Sequence, residues 1–369
     1  MNIFRPQDFG AKANGSNDDT TAVSSALSAA MGRDGCVEFP PGTYRITESM
    51  VRLVGNHSLS LRGYGPNVSR LLFENCDGFT FLMEQDGIHQ PYGLDIQGLS
   101  FNAGAGQCGR GLKISMGQPT ASNEHGGCPL RLRDVEVRSN AHSYWREGIE
   151  IEGVWNPKLE DVFVSGGSYG GDWAKMTGAG VKLRGMCVNA HLSNVRCNFW
   201  ATGLQAHAEK YNTEGLFCSN CSMVAVKRGV WLRGDPYVGA GRIHTLQWQG
   251  GMIENRFGGV TGGLAAFHLE HTHGVSIMGC QMIPETMNCL EASYGVIAQN
   301  CRNVQVQGCE INAYHNGVLT TDVCSGFNII GNNFPYNTSP VTFGPGTYSS
   351  QAKNNLQGQA GAVPDTIVV

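Results

Sequence analysis

The sequence predicts an all-β solenoid, a right-handed parallel β-helix built of stacked three-strand coils. Three observations predict it. Two columns of short apolar alternation recur along the chain, glycine and asparagine punctuate them, and no helical periodicity separates one strand from the next. The repeat is irregular but averages in the high twenties, too short for a βαβ unit, so turns rather than crossover helices must join the parallel strands. A solenoid grows along one axis, so 369 residues do not demand two globular domains.

Ahead of the coils, residues 1–57 read as an entry segment. Within it Asp18–Met31 forms a short helix with Asp18 and Asp19 as N-cap carboxylates, apolar spacing at Val23, Leu27 and Ala30, and a stop at Gly32. Laid over the first coil, that helix covers an otherwise open core. The coils follow over 58–335. Their first column reads Gly-apolar-x-apolar-x from Gly111, Gly148, Gly180, Gly203, Gly229, Gly295 and Gly317, with Ala266 in the glycine place once. The second starts at Val135, Val162, Val195, Leu216, Leu246, Val275, Val304 and Phe327. Beyond Tyr336 the repeat fades, and 336–369 reads as a C-terminal extension.

Composition narrows the function. Charged residues are 15% of the chain and the net charge is −4 with both signs interspersed, so no basic field exists to hold a nucleic-acid backbone. No run of 18 apolar residues and no charged-then-apolar leader occurs, which predicts a soluble chain without a signal peptide or membrane partner. The 13 cysteines sit mostly in strand-like runs and read as buried thiols made in a reducing compartment. Cys221, Cys280 and Cys309 align as part of one inward stack. Cys218 and Cys221 have CxxC spacing, but no second pair completes a zinc site, and no metal or cofactor is expected.

In the first column the apolar residues face inward, so their alternating partners face outward, about 4.8 Å apart from coil to coil. That outward ladder runs Lys113/Ser115, Glu150/Glu152, Lys182/Arg184, Gln205/His207, Trp231/Arg233 and His268/Glu270, then turns plain at Ile297/Gln299 and Leu319/Thr321. Carboxylates, guanidinium groups, imidazoles and a tryptophan on adjacent rungs are the groups sugar chemistry needs. Aromatic insertions beside the ladder, with Trp145, Trp173 and Tyr237 as candidate sugar contacts, would wall a long groove.

Glycoside hydrolysis uses two carboxylates, about 5 Å apart for retention or about 6.5–9.5 Å for inversion. Glu150 and Glu152 stand two residues apart on one strand face, roughly 7 Å by strand rise, which permits inversion. Lys182 and Arg184 on the next rung offer the alternative, that both glutamates form cross-strand ion pairs. A second candidate pair is Glu270 and Asp235, with Trp231, Arg233, His207 and His268 binding substrate; Asp172 could supply an acid beside the first pair. The basic residues also suit a lyase, in which Lys182, Arg184 or Arg233 neutralises a uronate and a base removes the C5 proton.

Upstream, Asp8-Phe9-Gly10-Ala11-Lys12, Asn14-Gly15, Asn17-Asp18-Asp19-Thr20-Thr21-Ala22 and Val37-Glu38-Phe39-Pro40-Pro41-Gly42-Thr43-Tyr44 resemble the opening of the pectate-lyase-like β-helix superfamily. Bacteriophage tailspike depolymerases and polygalacturonases share it. The Asn-Thr-Asp, paired Asp and Gly-His-Gly strings of the polygalacturonase branch are missing, so the resemblance points to the tailspikes. It implies a homotrimeric virion-tail spike, made in the bacterial cytoplasm, that cleaves a bacterial surface polysaccharide internally as a glycoside hydrolase. The alternatives are a polysaccharide lyase, a non-catalytic receptor-recognition spike, and an intramolecular glycosyl transferase or epimerase on the same scaffold.

Overall fold

The computed structural model describes residues 2–54, 57–83, 93–116, 129–140, 143–167, 177–208, 212–236, 242–256, 263–285, 292–357 and 366–368. The fold is the expected parallel β-helix, with one α-helix, Thr20–Ala30, among the described residues. Contacts divide the chain into two compact units, Met1–Gly171 with Thr177–Val195, and Asp172–Met176 with Arg196–Val369.

In the first unit the helix buries Val23, Ala26, Leu27 and Ala30 completely, packing on the strands Ile3–Phe4, Cys36–Glu38 and Gly42–Ile46. Its cap differs from expectation. Asp19 occupies the N-cap position, but its carboxylate accepts the Lys12 and Ala13 N–H groups at 2.7 and 3.0 Å instead of capping the helix. Asp18 accepts the Thr20 N–H and hydroxyl, a local turn that competes with capping. The strands Leu94–Ala105, Leu130–Arg138 and Lys158–Ser165 then stack in register, with Ile96, Leu132 and Leu159 in one buried file and Phe101, Val137 and Val164 in another.

In the second unit the coils are regular. Ile243–Gln249, Met252–Asn255 and Leu264–Glu270 make one, and Thr272–Met278, Gln281–Pro284 and Ser293–Gln299 make the next. Cys218, Trp248, Ile277, Val306 and Ile329 form an inward file across successive strands. One corner explains the glycine and asparagine punctuation: Asn220, Gly250, Gly279, Gly308, Gly331 and Asn354 all lie at φ between 52 and 68°, where other side chains are strained. The column glycine has a second cause, since a Cβ on Gly229 would stand 2.6 Å from the Ala266 carbonyl oxygen of the neighbouring coil.

Coil pairing extends past both ends of the expected 58–335 window. Cys36–Glu38 pairs with Leu59–Arg62 and Met50–Leu53 with Phe79–Met83, while Asn316–Thr321 pairs onward with Ser339–Thr342 and Asn328–Ile330 with Gln351–Lys353. The eleven described cysteines are all buried and unbridged. The Cys221 and Gly251 carbonyls accept from Met252 and Gln281, and that of Cys280 from Glu310, which puts Cys221, Gly251, Cys280 and Cys309 on successive coils. Burial pushes the Cys76 thiol up to about 12 and those of Cys187 and Cys301 to about 11, so thiolate is scarce at neutral pH. Alkylation of the native protein followed by peptide mass spectrometry is expected to leave these eleven unmodified until the chain is unfolded; prompt labelling of any would contradict its placement.

Candidate functional site

Two charged clusters form on outward sheet faces, one in each unit. In the first, Lys113, Glu150 and Lys182 share one row, and Ser115, Glu152 and Arg184 the next. Glu150 lies on the outward side of its strand yet is 1% exposed, because cations close over it. Arg110 Nε donates to its Oε2 at 2.8 Å, Lys113 Nζ stands 3.3 Å from Oε1, and Arg184 stands 3.8 Å from Oε1. Burial alone would push this carboxyl up, but the Arg110 hydrogen bond and the charges of Arg110, Lys113 and Lys182 outweigh it and hold the group below the usual range. Glu152 forms an ion pair with Lys113 at 3.1 Å and accepts from the Ser115 hydroxyl at 3.1 Å. Lys182 pairs with Glu147 at 3.2 Å, and Glu147 also accepts the Ala179 N–H. Oε2 of Glu150 is thus hydrogen-bonded by Arg110, while Oε1 is buried with Lys113 and Arg184 near it but accepts no hydrogen bond; the surrounding cations suit an ion-pair anchor better than a proton donor.

The second cluster is built by Thr202–His207, Arg228–Arg233 and Leu264–Glu270. Gln205, Trp231 and His268 make one outward row, and His207, Arg233 and Glu270 the next. Glu270 Oε1 is 3.0 Å from His268 Nε2 and 3.3 Å from Trp231 Nε1, and Arg233 Nε stands 3.7 Å from Oε2. The Trp231 and His268 rings stack at 6.0 Å and 23°, and the Arg228 guanidinium sits over the indole at 4.6 Å. Burial pushes the Glu270 carboxyl up, but hydrogen bonds from His268 and Trp231 with the charges of His268 and Arg233 prevail, leaving it below the usual range. Unlike Glu150, this carboxylate keeps 19% of its side-chain surface open. A carboxylate bonded to a half-buried imidazole, with guanidinium groups alongside, can accept or relay a proton next to a negatively charged sugar.

A protein-family profile described as rhamnogalacturonase A/epimerase, pectate lyase-like, matches residues 3–230. The chain belongs to this pectate-lyase-like family. Among solved structures, the pectate-lyase-like chain is similar to the A-module of the mannuronan C-5 epimerase AlgE6 of Azotobacter vinelandii, at 15% identity and TM-score 0.60, over 97% of this chain and 100% of that one. It is also similar to the pre-mature gene product 12 of bacteriophage phi29, at 15% identity and TM-score 0.61, covering 96% of this chain and 52% of the phage one. The gp42 tailspike of Acinetobacter phage vb_AbaP_AS12 aligns at 12% identity and TM-score 0.58, over 96% and 61% of the two chains. The pectate-lyase-like chain therefore spans about half to three-fifths of those two phage proteins. At such identities these likenesses establish the fold. No curated protein matches the sequence.

Within this pectate-lyase-like scaffold the expected site residues divide. Trp231, Arg233, His268 and Glu270 come together, with His207 beside Arg233 in register. Glu150, Glu152, Lys182 and Arg184 come together in the other cluster. Asp235 follows Arg233 by two residues on the turn after its strand. Trp145 is a correction: it is fully buried, donates its indole N–H to the Arg138 carbonyl at 3.1 Å and packs on Phe73, so it cannot meet a sugar. It belongs to the strand Tyr144–Glu152, not to a loop before it. Trp231 also offers less than an open platform, since His268 and Arg228 already occupy its ring. Asp172, Trp173 and Tyr237 lie outside the described residues. Sequence reasoning passed over Arg110, Glu147 and Arg228. All three immediately precede a column glycine, a position that a column read from the glycine onward leaves out.

Proposed function

We propose that this pectate-lyase-like protein is a polysaccharide depolymerase of the phage-spike kind, an endo-acting glycoside hydrolase on a bacterial capsule, lipopolysaccharide or exopolysaccharide. The observation that carries the reading is the Glu270 carboxylate, ionised, partly open and held by His268 and Trp231 on an outward rung. An ionised carboxylate of this kind serves as the base or nucleophile of a glycosidase, and Asp235 on the adjoining turn is assigned as its proton-donating partner. Arg233, His207 and Trp231 line the approach. The tailspike likeness supports a place on a virion tail, and assembly as a homotrimer is assigned with that reading.

One observation favours a second reading, a lyase. His268 is oriented by Glu270 beside Arg233, the arrangement in which an imidazole removes a C5 proton while guanidinium groups neutralise the uronate. A C5 epimerase needs the same proton removal without bond cleavage. Incubation of the purified chain with bacterial surface glycans separates these outcomes. New reducing ends without ultraviolet absorbance are expected for the hydrolase, and unsaturated, absorbing ends would mark the lyase. An uncut polymer with isomerised sugars would mark the epimerase, and an uncut, unchanged polymer would leave only a binding spike. Light scattering showing monomers alone would remove the trimer.

A further inference from the structure

The strands Thr213–Ser219, Ile243–Gln249, Thr272–Met278 and Arg302–Gln307 place Glu214, His244, His273 and Arg302 in one outward row on consecutive coils of the second unit. A pocket of about 330 Å³ opens along this row, and its lining includes Asp235, Arg242, His271, His273, Asn300 and Arg302. Arg242 approaches His273 Nε2 at 3.4 Å, and His273 packs edge to face on His244 at 5.4 Å. Burial pushes the His273 imidazole down, and the charges of Arg242, His244 and Arg302 push it further. Neither Arg242 nor Arg302 forms an ion pair among the described residues, although both border the same cavity. Two guanidinium groups and two imidazoles thus line a cavity beside a single carboxylate, Asp235. Such an excess of fork-shaped cationic donors is matched by an external oxyanion.

The pocket adjoins the Glu270 cluster through the chain itself. The strand that delivers Glu270 to the cluster delivers the next residue, His271, to the pocket wall, and the turn after Arg233 delivers Asp235. We infer that this pocket binds an oxyanion carried on a saccharide ring, so that the glycan gripped beside Glu270 is an acidic one. The inference rests on the polysaccharide reading for the identity of the ligand, and it adds the class of sugar. A ring carboxylate and a phosphate ester share the chemistry the two arginines recognise.

The test uses the full chain and the Arg242→Gln/Arg302→Gln double variant, each titrated with glucuronate, glucose 6-phosphate and glucose. Calorimetry reads binding, and NMR reads the His273 and His244 imidazoles. The anionic sugars are expected to bind and glucose not to; the double variant is expected to bind them on the order of tenfold more weakly or worse. Bound anion favours imidazolium, so the His273 titration moves to higher pH against burial and the opposing charges of Arg242, His244 and Arg302; His271 and Asp235 line the same pocket. Tighter binding of glucuronate names a uronate glycan, and of glucose 6-phosphate a phosphorylated one. No binding by either anion, equal binding of glucose, or anion binding unchanged in the double variant would overturn the inference. Retained anion binding in a protein that cuts no polymer would instead sink the depolymerase reading and leave the pocket standing.

Discussion

Glu270→Gln is expected to lower the rate of glycan cleavage by about 10²–10⁴-fold, the range for losing a positioned base, while the thermal unfolding curve stays close to that of the parent. Glutamine preserves the shape and can still accept the His268 and Trp231 hydrogen bonds, so the substitution removes charge and little packing. The carboxylate sits on an outward rung with 19% of its surface open, where a lost charge costs the fold little. The pH profile separates a catalytic from a merely structural glutamate. Because Glu270 is held below the usual carboxylate range, the acid limb that it contributes to kcat/KM lies below that range. His268→Gln weakens the strongest of the contacts that oppose burial, so the limb moves to higher pH. Parental rates in Glu270→Gln would remove this carboxylate from the chemistry.

The coils were legible because their physical requirements are local. Strand pleating writes period-two alternation, the left-handed corner admits Asn220 or Gly279 and few others, and the close approach at Gly229 excludes a side chain. The last coils were less legible, since Ser339–Thr342 and Gln351–Lys353 are three or four residues long with almost no apolar content. Trp145 was legible and misread. It shares parity with Ile149 and Ile151, which the assignment to a loop set aside, and it pairs in register with the buried Cys108. The row of His244, His273 and Arg302 lies two residues upstream of the buried Leu246, Val275 and Val304, where simple alternation would point it inward; Thr245, Gly274 and Asn303 in between lie at φ of 62, 68 and 55°, which breaks the alternation and turns the row outward. What alternation cannot carry is diagonal reach. The ladder placed Lys113 and Lys182 beside Glu150, but the shortest ion pair comes from Arg110, whose own register partner is Glu147. Whether a carboxylate is free to react or fully compensated depends on such contacts.

That distinction sets the last expectation. Glu150→Ala is expected to destabilise the fold by about 3 kcal/mol, at the low end for a broken buried ion pair, measured as a shift in the denaturant midpoint. The substitution leaves Arg110, Lys113 and Arg184 facing one another around an empty place, and their side-chain exposures of 40, 20 and 28% let water relieve part of the cost. Glu152→Ala should cost less, about 1 kcal/mol or under, since Glu152 is itself 21% exposed. The pH dependence has a definite sign. The Glu150 carboxyl is lowered in the folded state, so its contribution is complete above the unfolded value and disappears as pH falls through the folded one. In the parent this adds an acid-labile component below about pH 4.3, and Glu150→Ala should lack it. Below its unfolding temperature the variant should still cut polymer, because a carboxylate 1% exposed, held below the usual range by the surrounding cations, is poorly placed to donate a proton or meet a sugar. Abolished cleavage in a Glu150→Gln protein as stable as the parent would return this glutamate to the chemistry and demote Glu270.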